Sequence, residues 1–362
     1  MSDRVSPSMP RTVVVDARMA RRRNTGTATY ITGLVAALRR TAPPEVRLHV
    51  VWGPLPLPRR GKLTRIGNLV IDLAWTHVGL PLIALRRRAA LIHAPFNWAP
   101  ALAPCPSVAT VHDLAWERVP ETFPGFFRRY ARLFTRLTSR RAKRLICVSQ
   151  ATADDLVQLY RAPADRIRVI PNGVDPDTAP VTTSRDPVIL AVGEFEPRKR
   201  ILELIEGFHA YRDAAPDDPP PCDLVLVGSG GSQAEEVARA AGDHVRLTGF
   251  VDDAALADLY RRATLLAFPS SYEGFGLPVA EAMAHGCPAL VAQNSSLVEV
   301  GGDVAIPLTD PSPTGIARAL TDALSDRDAL AARGERSRHH ARMFDWDDIA
   351  RRTLDVYREA VG

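Results

Sequence analysis

Short runs of β-branched and other apolar residues alternate with longer amphipathic stretches along the whole chain. Such an alternation predicts parallel β-strands, each followed by a helix that covers one face of a sheet. In the first half of the chain the apolar runs predict strands at Thr12–Val15, Leu48–Trp52, Leu91–His93, Val108–Val111 and Leu145–Val148. In the second half they predict strands at Val188–Val192, Asp223–Val227, Val245–Leu247, Leu265–Phe268 and Ala289–Ala292. The pattern therefore indicates an α/β protein with two doubly wound, Rossmann-like sheets.

Apolar residues at helical spacing occupy many of the intervals between these strands. They predict helices at Thr27–Arg40, Phe126–Arg144, Ile201–Ala214 and Gln233–Ala241, helices that begin near Ala254 and Pro278, an interrupted helical stretch at Asp310–Arg342 and a final helix at Asp347–Val361. Closely spaced prolines, an asparagine and a glycine predict a loop-like linker at residues 167–186. Because 362 residues exceed the usual size of one domain, we expect a first domain at 1–178 and a second at 179–342.

The two halves of the chain carry opposite net charge. Residues 1–180 contain 28 Lys and Arg against 12 Asp and Glu, a net charge of +16, and residues 181–362 contain 18 against 29, a net charge of −11. The basic half is expected to face an anionic partner. By charge alone a phosphorylated acceptor, an acidic membrane and nucleic acid would each fit. Of these three, nucleic acid is not expected, because the basic half contains no recognisable nucleic-acid-binding motif.

The composition is that of a folded globular protein, with 46% hydrophobic and 24% charged residues, which excludes a disordered chain. The most apolar run, Ile66–Leu85, is interrupted by Asp72, His77 and Pro81, so no membrane-spanning helix is expected. No secretory leader is expected either. The four cysteines are too far apart for a clustered metal site or a small disulfide framework. These observations favour a reduced, cytoplasmic protein.

The segment after the strand that ends near Phe268 has the composition of a ligand-binding turn. Gly274 and Gly276 allow the backbone to approach a ligand closely. The helix that follows starts with Pro278, at a position where the missing N–H group costs nothing. Since the free N–H groups of a helix N-terminus bind phosphate, the segment predicts a cradle for a diphosphate.

Two glutamates flank this turn. Glu273 lies in the loop, and Glu281 lies eight positions later, one turn into the helix. Both carboxylates can accept hydrogen bonds from the vicinal hydroxyls of one polyhydroxylated ligand. The alternative is that one glutamate stabilises the helix dipole and the other is solvated. Two glutamates around one glycine-rich turn favour the ligand-binding interpretation.

These glutamates and the intervening Gly-Phe-Gly-Leu-Pro sequence resemble the Glu-x7-Glu signature of retaining glycosyltransferases of the GT-B fold, in the group 1 class (family 4). Four further regions resemble this family in its own order, namely Asp16–Arg18 with Thr25–Tyr30, Val111–Leu114, Val148-Ser149 with Val169–Asp175, and Val192–Lys199. The first of them resembles the family's bacterial mannosyl- and rhamnosyltransferases. The resemblance implies two Rossmann-like domains that face each other across a cleft, with a terminal helix, here 343–362, that packs back toward the first domain.

The resemblance implies a role for each matching residue of the second half. Glu281 is expected to hold the ribose of a nucleoside diphosphate, and Glu273 is expected to bind hydroxyls of the sugar. Arg198 and Lys199 neutralise the departing diphosphate, so no metal or other cofactor is expected. Backbone groups are expected to complete the donor site at Gly274, Phe275, Gly276 and Leu277 for sugar and phosphate, and at Phe250 and Val251 for the base.

Two residues of the first half complete the expected site. Gly26 lets its loop approach the β-phosphate, and His112 faces the reacting sugar. A structural histidine at the end of a strand is the alternative for His112. The chain departs from the family at Glu194, where many members have an arginine directly after the glycine, and Arg198 is expected to substitute for it.

The resemblance implies transfer of a sugar, mannose or a related hexose, from a nucleoside-diphosphate donor to a saccharide or lipid-linked acceptor in polysaccharide biosynthesis. Retention at the anomeric carbon is implied. A front-face reaction is favoured, because no carboxylate near His112 is an obvious nucleophile. A double displacement is the alternative, because Asp113 and Glu117 lie close to His112 in the sequence. Two other functions stay open: a GT-B nucleotide-sugar epimerase or hydrolase, and a catalytically silent nucleotide-sugar-binding homologue.

The helix predicted around residues 126–140 has a basic face. Arg128, Arg132, Arg136 and Arg140 recur every four residues beside apolar positions. One interpretation is a helix that packs on its own sheet and leaves a solvated face. The other is peripheral attachment to anionic lipid at the inner face of the plasma membrane. The basic clusters at 21–23 and 86–88 add positive charge to the same half.

Overall fold

The computed structural model describes residues 11–21, 25–55, 57, 62–179, 185–214 and 221–362. The chain divides into two compact units. The first contains Met1–Glu117, Phe123–Gly173 and Trp346–Gly362, and the second contains Arg118–Thr122 and Val174–Asp345. Each unit contains one six-stranded sheet in which neighbouring strands run parallel. The expected pair of α/β sheets is confirmed.

The first unit alternates strands and helices as the apolar runs predict. Its elements are β1 Thr12–Asp16, α1 Gly26–Thr41, β2 Arg47–Val51, α2 Lys62–Ala74, a π-helical turn at Trp75–Gly79, α3 Leu80–Arg86, β3 Leu91–Ala94, β4 Ser107–Val111, α4 Ala115–Arg118, α5 Gly125–Arg141, β5 Arg144–Cys147, α6 Gln150–Tyr160 and β6 Ile167–Val169. The strand order is β2-β1-β3-β4-β5-β6. The direction of winding changes between β1 and β3, which is where such sheets bind ligands.

The second unit repeats this architecture. Its elements are β7 Asp186–Val192, α7 Ile201–Ala214, β8 Asp223–Val227, α8 Ala234–Ala240, β9 Val245–Gly249, α9 Asp253–Arg262, β10 Ala263–Phe268, α10 Leu277–Ala284, β11 Ala289–Ala292, α11 Leu297–Gly301, β12 Ile306–Leu308, α12 Pro313–Leu324 and α13 Arg327–Ala341. The strand order is β12-β11-β10-β7-β8-β9. The switch point of this sheet therefore lies between β7 and β10.

The last helix, α14 (Trp346–Val361), belongs to the first unit. Its Trp346 side chain is buried and fills the space left by two glycines, because a Cβ atom at Gly33 of α1 or at Gly173 would overlap the indole ring. Asp347 pairs with Arg40 of α1 at 2.6 Å. The helix is therefore an integral part of the first hydrophobic core.

Part of the expected linker is regular structure. Residues 167–186 were expected to be loop-like, but Ile167–Val169 form β6 and pair with β5, with Ile167 opposite Leu145. This pairing joins residues that are distant in the sequence, so the nearby prolines do not reveal it. The segment of the first unit that precedes the second sheet ends at Gly173, whereas the sequence places the boundary at 178. Pro180 and two residues of the basic cluster at 21–23, Arg22 and Arg23, lie outside the described residues.

The expectation that the apolar run near residue 70 is broken is wrong. Residues 67–86 form a helical segment of 20 residues with a mean hydropathy of 1.5, long and apolar enough by length and composition to cross a membrane. Pro81 lies in the first turn of α3, where proline is compatible with a helix. Asp72 is neutralised by Arg18 at 2.9 Å. Only 17% of the segment's apolar window is buried, so the segment lies on the surface of the first unit.

Candidate active site

The switch point of the second sheet brings two loops together. β7 and β10 are hydrogen-bonded neighbours, with Leu190 opposite Leu266, so the loops at their carboxyl ends adjoin. The loop after β7 ends in a 3-10 turn at Pro197–Lys199. The loop after β10 contains residues 269–276. Backbone hydrogen bonds connect the two, since the Ser271 N–H donates to the Arg198 carbonyl at 2.7 Å.

Glu273 is the centre of a buried charge cluster at this junction. Lys199 Nζ lies 2.6 Å and Arg198 Nη1 lies 2.8 Å from Oε1 of Glu273. The Ser270 hydroxyl donates to the same oxygen at 2.7 Å. The structure therefore brings together three of the four residues expected to be catalytic, Glu273, Arg198 and Lys199.

The cluster has the electrostatics of an ion pair. Burial by itself raises the pKa of Glu273, but the positive charges of Lys199 and Arg198 outweigh it and hold that pKa below its usual value. Burial lowers the pKa of Lys199, and the Glu273 carboxylate opposes this shift. The Lys199 ammonium also lies 4.6 Å from the centre of the Phe268 ring, a favourable cation–π distance. Phe268 and Glu273 together hold the lysine at the carboxyl edge of the sheet.

The turn into α10 depends on Gly276. Its φ of +98° is a left-handed conformation that other residues rarely adopt, and a Cβ atom there would lie 2.6 Å from Leu297 Cδ2. Leu277 and Pro278 then start the helix. The adjoining Phe275 side chain is buried and packs edge-to-face on Phe344 at 5.4 Å. The N–H groups at the start of α10 are thus presented by a backbone with little freedom.

Glu281 has a different environment from Glu273. It lies on α10, where Oε2 accepts a hydrogen bond of 3.0 Å from the buried Tyr260 hydroxyl. Burial raises the pKa of Glu281 to about 7; the Tyr260 hydrogen bond opposes this shift, and the negative charges of Asp253 and Asp175 add to it. Glu281 is therefore a carboxyl group that binds a proton near neutral pH and releases it when a donor of hydrogen bonds or a cation approaches.

The next two strands of the sheet, β8 and β9, add backbone groups to the same edge. The Gly228 N–H, after β8, donates to the Gly249 carbonyl at the end of β9 at 2.9 Å. A Cβ atom at Gly228 would collide with the Gly193 carbonyl, so the loop after β8 packs directly on the loop after β7. Phe250 and Val251 follow β9, and the Phe250 side chain is 55% exposed. Its ring is available for contact with a planar group.

In the first unit, His112 follows β4 and is fixed by groups that follow β3. Its backbone N–H donates to Asn97 Oδ1 at 2.7 Å, and its Nε2 lies 3.0 Å from the Pro95 carbonyl. A carbonyl oxygen only accepts, so Nε2 carries the proton and Nδ1 is the atom left as an acceptor. Burial lowers the pKa of His112, although the Pro95 hydrogen bond and the Asp113 charge oppose the shift. The neutral imidazole therefore offers a lone pair.

A buried hydrogen-bonded chain lies behind His112. His93 Nδ1 is 2.7 Å from the Tyr357 hydroxyl of α14, and His93 Nε2 is 3.0 Å from Thr110 Oγ1. The Tyr30 hydroxyl is 3.2 Å from the same Thr110 atom, and the Tyr30 ring meets the His112 ring edge-on at 4.9 Å. Burial lowers the pKa of His93 to about 3, so His93 is a neutral structural residue.

Gly26 is the first residue of α1. Thr25 caps this helix, since its side chain accepts from the Ala28 N–H at 3.2 Å. Gly26 and His112 lie in the first unit, and the charge cluster around Glu273 lies in the second. Among the described residues, no group of three or more His, Cys, Asp or Glu side chains is arranged to hold a metal ion.

Two family models match adjoining parts of the chain. Residues 24–178 match the model described as Glycosyltransferase Family 4, and residues 178–340 match the model described as Glycosyl transferases group 1. The O-antigen chain mannosyltransferase B of Escherichia coli is 30% identical over 273 residues, which cover 70% of this chain and 70% of that protein. The chain belongs to the group 1 glycosyltransferases. This glycosyltransferase is also 29% to 34% identical to several bacterial proteins described as D-inositol 3-phosphate glycosyltransferases. It matches these relatives over 52% to 57% of their own length.

Solved structures agree with this glycosyltransferase in fold. Sucrose-phosphate synthase from Thermosynechococcus elongatus is similar with a TM-score of 0.75 at 21% identity, over 96% of this chain and 98% of that chain. The Anabaena HepE protein, solved in complex with UDP-glucose, is similar with a TM-score of 0.70 at 19% identity, over 95% and 98%. At this identity the likeness shows the fold alone. The glycosyltransferase has the GT-B fold that the sequence resemblance implies.

Three residues that support Glu273 in this glycosyltransferase are not among those predicted from the sequence. The Asn294 amide donates to the Ser270 carbonyl at 2.9 Å, the Glu273 N–H donates to Ser295 Oγ at 3.2 Å, and the Ser296 hydroxyl donates to the Glu273 carbonyl at 2.9 Å. These three residues follow β11 after one intervening residue, Gln293. A run of small polar residues at the carboxyl end of a strand beside β10 is the signal by which they can be found.

Proposed function

We propose that the protein transfers a sugar, mannose or a related hexose, from a nucleoside-diphosphate donor to a saccharide or lipid-linked acceptor, with retention at the anomeric carbon. One observation carries this proposal: the Glu273 carboxylate is held by Lys199 and Arg198 at the switch point of the second sheet. Two cations can bind the diphosphate of a sugar donor, and a carboxylate beside them can accept hydrogen bonds from the hydroxyls of its sugar. The mannosyltransferase relative in Escherichia coli supports the choice of sugar.

In this proposal the two glutamates bind different parts of the donor. Within the described residues, the ion pairs and hydrogen bond given for the Glu273 carboxylate fall on Oε1, and in this proposal Oε2 accepts from sugar hydroxyls. Glu281 accepts from the ribose hydroxyls, and the start of α10 with Gly274, Phe275, Gly276 and Leu277 donates backbone N–H groups to the phosphates. Phe250 and Val251 contact the base. The UDP-glucose bound by the HepE protein supports a nucleotide sugar as ligand.

We propose a front-face reaction. The bond between the anomeric carbon and the diphosphate oxygen breaks, the acceptor oxygen bonds to the same face of that carbon, and the acceptor proton passes to the departing phosphate. Lys199 and Arg198 stabilise the charge that develops on the diphosphate, in place of a metal ion. His112 accepts a hydrogen bond from a sugar hydroxyl through Nδ1, and Gly26 at the start of α1 approaches the β-phosphate.

The environment of Glu117 supports this mechanism over a double displacement. The Glu117 carboxylate accepts from the Tyr160 hydroxyl at 2.7 Å and pairs with Arg132 at 2.8 Å. A nucleophile held by these two donors is weakened, because both stabilise its ionised form. Asp113 is also engaged, since its Oδ1 accepts from the Ala115 N–H at 3.1 Å.

The acceptor is proposed to be a saccharide or a lipid-linked saccharide at the inner face of the plasma membrane, reached from the cytoplasm. The net charge of +16 on residues 1–180 supports an anionic membrane as partner. The row of arginines on α5 offers less positive charge to a membrane than its sequence indicates, because Arg132 forms an ion pair with Glu117. Arg136 and Arg140 are exposed.

The two glutamates give the sharpest test. Glu281→Ala is expected to weaken nucleotide binding about tenfold or more, because a buried acceptor of ribose hydroxyls is lost. Glu273→Gln is expected to keep most of the binding and to lower kcat by about 10²-fold or more, since the charge that orients Lys199 is lost. Calorimetric titration with nucleoside diphosphates and a transfer assay measure the two effects. Unchanged binding and unchanged turnover in both variants would contradict the assignment.

A thermal-shift screen with GDP-, UDP-, TDP- and ADP-linked sugars identifies the donor, because a ligand that binds only the folded state raises the melting temperature. Product analysis with that donor then separates the alternatives. Release of free sugar or an epimer without acceptor indicates a hydrolase or an epimerase. Binding without any turnover, across saccharide and lipid-linked acceptors, indicates a catalytically silent homologue.

A further inference from the structure

The helical segment from α2 to α3 has an apolar stripe on its outer face. Exposed residues recur every three or four positions at Val70, Ala74, Val78, Leu82 and Leu85. The four large members of this stripe are between 48% and 62% exposed. A surface helix of a water-soluble unit normally turns polar residues outward, so this stripe is an apolar surface without a partner in the described chain.

The opposite face of the same segment anchors it to the first unit. Leu80 and Ala84 are buried and pack against Val14 and Ile92 of the sheet. Thr76, one turn before Leu80, is also buried. The exposed stripe is therefore not the core-facing side of a displaced helix, because the core-facing residues of the segment already pack against the sheet.

Polar groups near the segment are turned inward as well. Asp72 is the only acidic residue between 67 and 88, and it pairs with the buried Arg18 at 2.9 Å. The Trp75 indole N–H lies 3.1 Å from the buried Asp16 carboxylate. These contacts fix the segment to the end of β1 and remove its negative charge from the outer face.

Positive charge lies directly at the end of the stripe. Arg86, Arg87 and Arg88 follow Leu85, and all three are exposed. Within the segment, the His77 ring packs at a tilt against Phe134 of α5, with the ring centres 4.8 Å apart. On α5, Leu133 and Phe126 are 54% and 55% exposed. An apolar strip bordered by arginines has the chemistry of an interfacial membrane anchor, in which apolar side chains enter the acyl boundary and cations meet anionic headgroups.

We propose that the outer face of residues 70–85, defined by Val70, Ala74, Val78, Leu82 and Leu85, lies in the surface of an anionic bilayer, with Arg86–Arg88 on the headgroups. The helix lies along the surface and stays packed on the first unit. The proposal commits to lipid rather than a second copy of the chain, because a copy docked through the same face brings a second unit with the same large positive charge. It rests on the membrane location proposed above and names the element responsible for it.

The test is flotation of the full-length protein with vesicles of phosphatidylglycerol and phosphatidylethanolamine, and with vesicles of phosphatidylcholine alone. Wild type is expected to float with the anionic vesicles and to be released at high salt. Val78→Glu/Leu82→Glu is expected to lower binding at least about tenfold, since two inserted side chains are replaced by charges. The matched control is Val157→Glu/Leu159→Glu on α6, two half-exposed residues of the same unit, which is expected to bind as wild type.

Electrostatic and folding controls complete the design. Replacing Arg86, Arg87 and Arg88 by glutamine is expected to weaken binding to anionic vesicles about a hundredfold, since each basic residue near such a surface contributes about fivefold. Thermal melting checks that each variant is folded. If the glutamate pair does not fold, Val78→Ser/Leu82→Ser replaces it, with the same expected direction.

Several results would overturn the proposal. These are absence of wild-type binding to anionic vesicles, full binding by the folded variants at 78 and 82, and equal loss of binding in the α6 control. A dimer in solution that the variants at 78 and 82 convert to a monomer, without vesicle binding by wild type, assigns the stripe to self-association instead. The assay contains no nucleotide sugar, so failure of lipid binding and failure of sugar transfer are separate results.

Discussion

Two carboxyl groups eight positions apart in the chain have opposite pKa shifts. Glu273 and Glu281 are both shielded from water, but Glu273 faces Lys199 and Arg198 while Glu281 faces a tyrosine hydroxyl and two negative charges. Burial raises the pKa of both carboxyl groups, and only at Glu273 do positively charged neighbours reverse that shift. Glu281 is the group that responds to pH in the neutral range.

Glu281→Gln is expected to stabilise the protein above neutral pH. The pKa of Glu281 is raised from 4.5 to about 7 in the folded chain, so the folded state binds more protons than the unfolded state between these values. The stability that this group contributes is therefore full below pH 4.5 and lost as pH rises through 7, by at most about 3 kcal/mol. A glutamine mimics the protonated form and avoids this loss. The variant is expected to melt above wild type at pH 8 and level with it at pH 4.5.

Glu236→Gln, at an exposed glutamate of α8, is the control and is expected to follow the wild-type curve at both pH values. Melting temperatures from circular dichroism measure the effect. If Glu281→Gln changes the melting temperature equally at pH 4.5 and pH 8, the ionisation of Glu281 is not its source.

At the scale of elements, the attachment of α14 depends on a close fit between one large and one small residue. Trp346 is 5% exposed, and its indole ring lies where a side chain at Gly33 of α1 would be. Fits of this kind do not relax easily, because protein interiors are as dense as molecular crystals.

Gly33→Ala is expected to destabilise the first unit by about 1–3 kcal/mol, although alanine is the better helix former, because the added methyl group overpacks the contact with Trp346. Gly125→Ala is the matched control at the start of α5, where a Cβ atom makes only an ordinary contact of 3.8 Å with Arg128. The control is expected to leave the stability unchanged or slightly raised. Urea unfolding of both variants checks this, and equal effects at the two positions would contradict the packing argument.

Much of the sheet architecture could be predicted from the sequence, because strands buried on both faces are continuous apolar runs. β4 and β10, for example, are buried along their whole length. β6 could not be predicted, since its residues are only partly buried and its pairing with β5 joins distant parts of the chain. The helix from α2 to α3 was missed because Asp72 and Pro81 interrupt its apolar run, and only the fold shows that Arg18 pairs with Asp72 and that Pro81 lies in the first turn of α3.

The candidate site was predictable in part for a similar reason. Glu273, Lys199 and Arg198 belong to local motifs with a recognisable order, and the adjacency of β7 and β10 then brings them into contact. The tyrosine that holds Glu281 carries no such signal. Tyr260 lies within α9, which ends before β10 begins, and only the fold places its hydroxyl on α10.

At the scale of the whole molecule, the chain forms two units with separate hydrophobic cores, of which one belongs to the first unit and another to the second. The charge follows the same division, because the basic and acidic halves of the sequence fall largely into different units. Two cores without shared residues are expected to unfold in separate steps unless an interface couples them.

Calorimetry is therefore expected to show two unfolding transitions. Gly33→Ala is expected to lower one transition only, by about 2–4 °C for each kcal/mol lost. Lys199→Met, which leaves the buried Glu273 with one cation fewer, is expected to lower only the other. A single transition that shifts as a whole in both variants would show that the two units unfold as one.

The path of the chain between the units has a consequence for engineering. The main segment of the second unit begins at Val174 and ends at Asp345, and these two residues form a β-bridge, with the Val174 N–H donating to the Phe344 carbonyl at 3.0 Å. On the other side of the junction, Gly173 contacts Trp346. Residues 174–345 are thus inserted between two segments of the first unit, with the two ends of the insert side by side. A chimera that exchanges residues 174–345 needs two junctions, at 173/174 and 345/346. A single junction at 173/174 also replaces the recipient's α14, which belongs to the first unit.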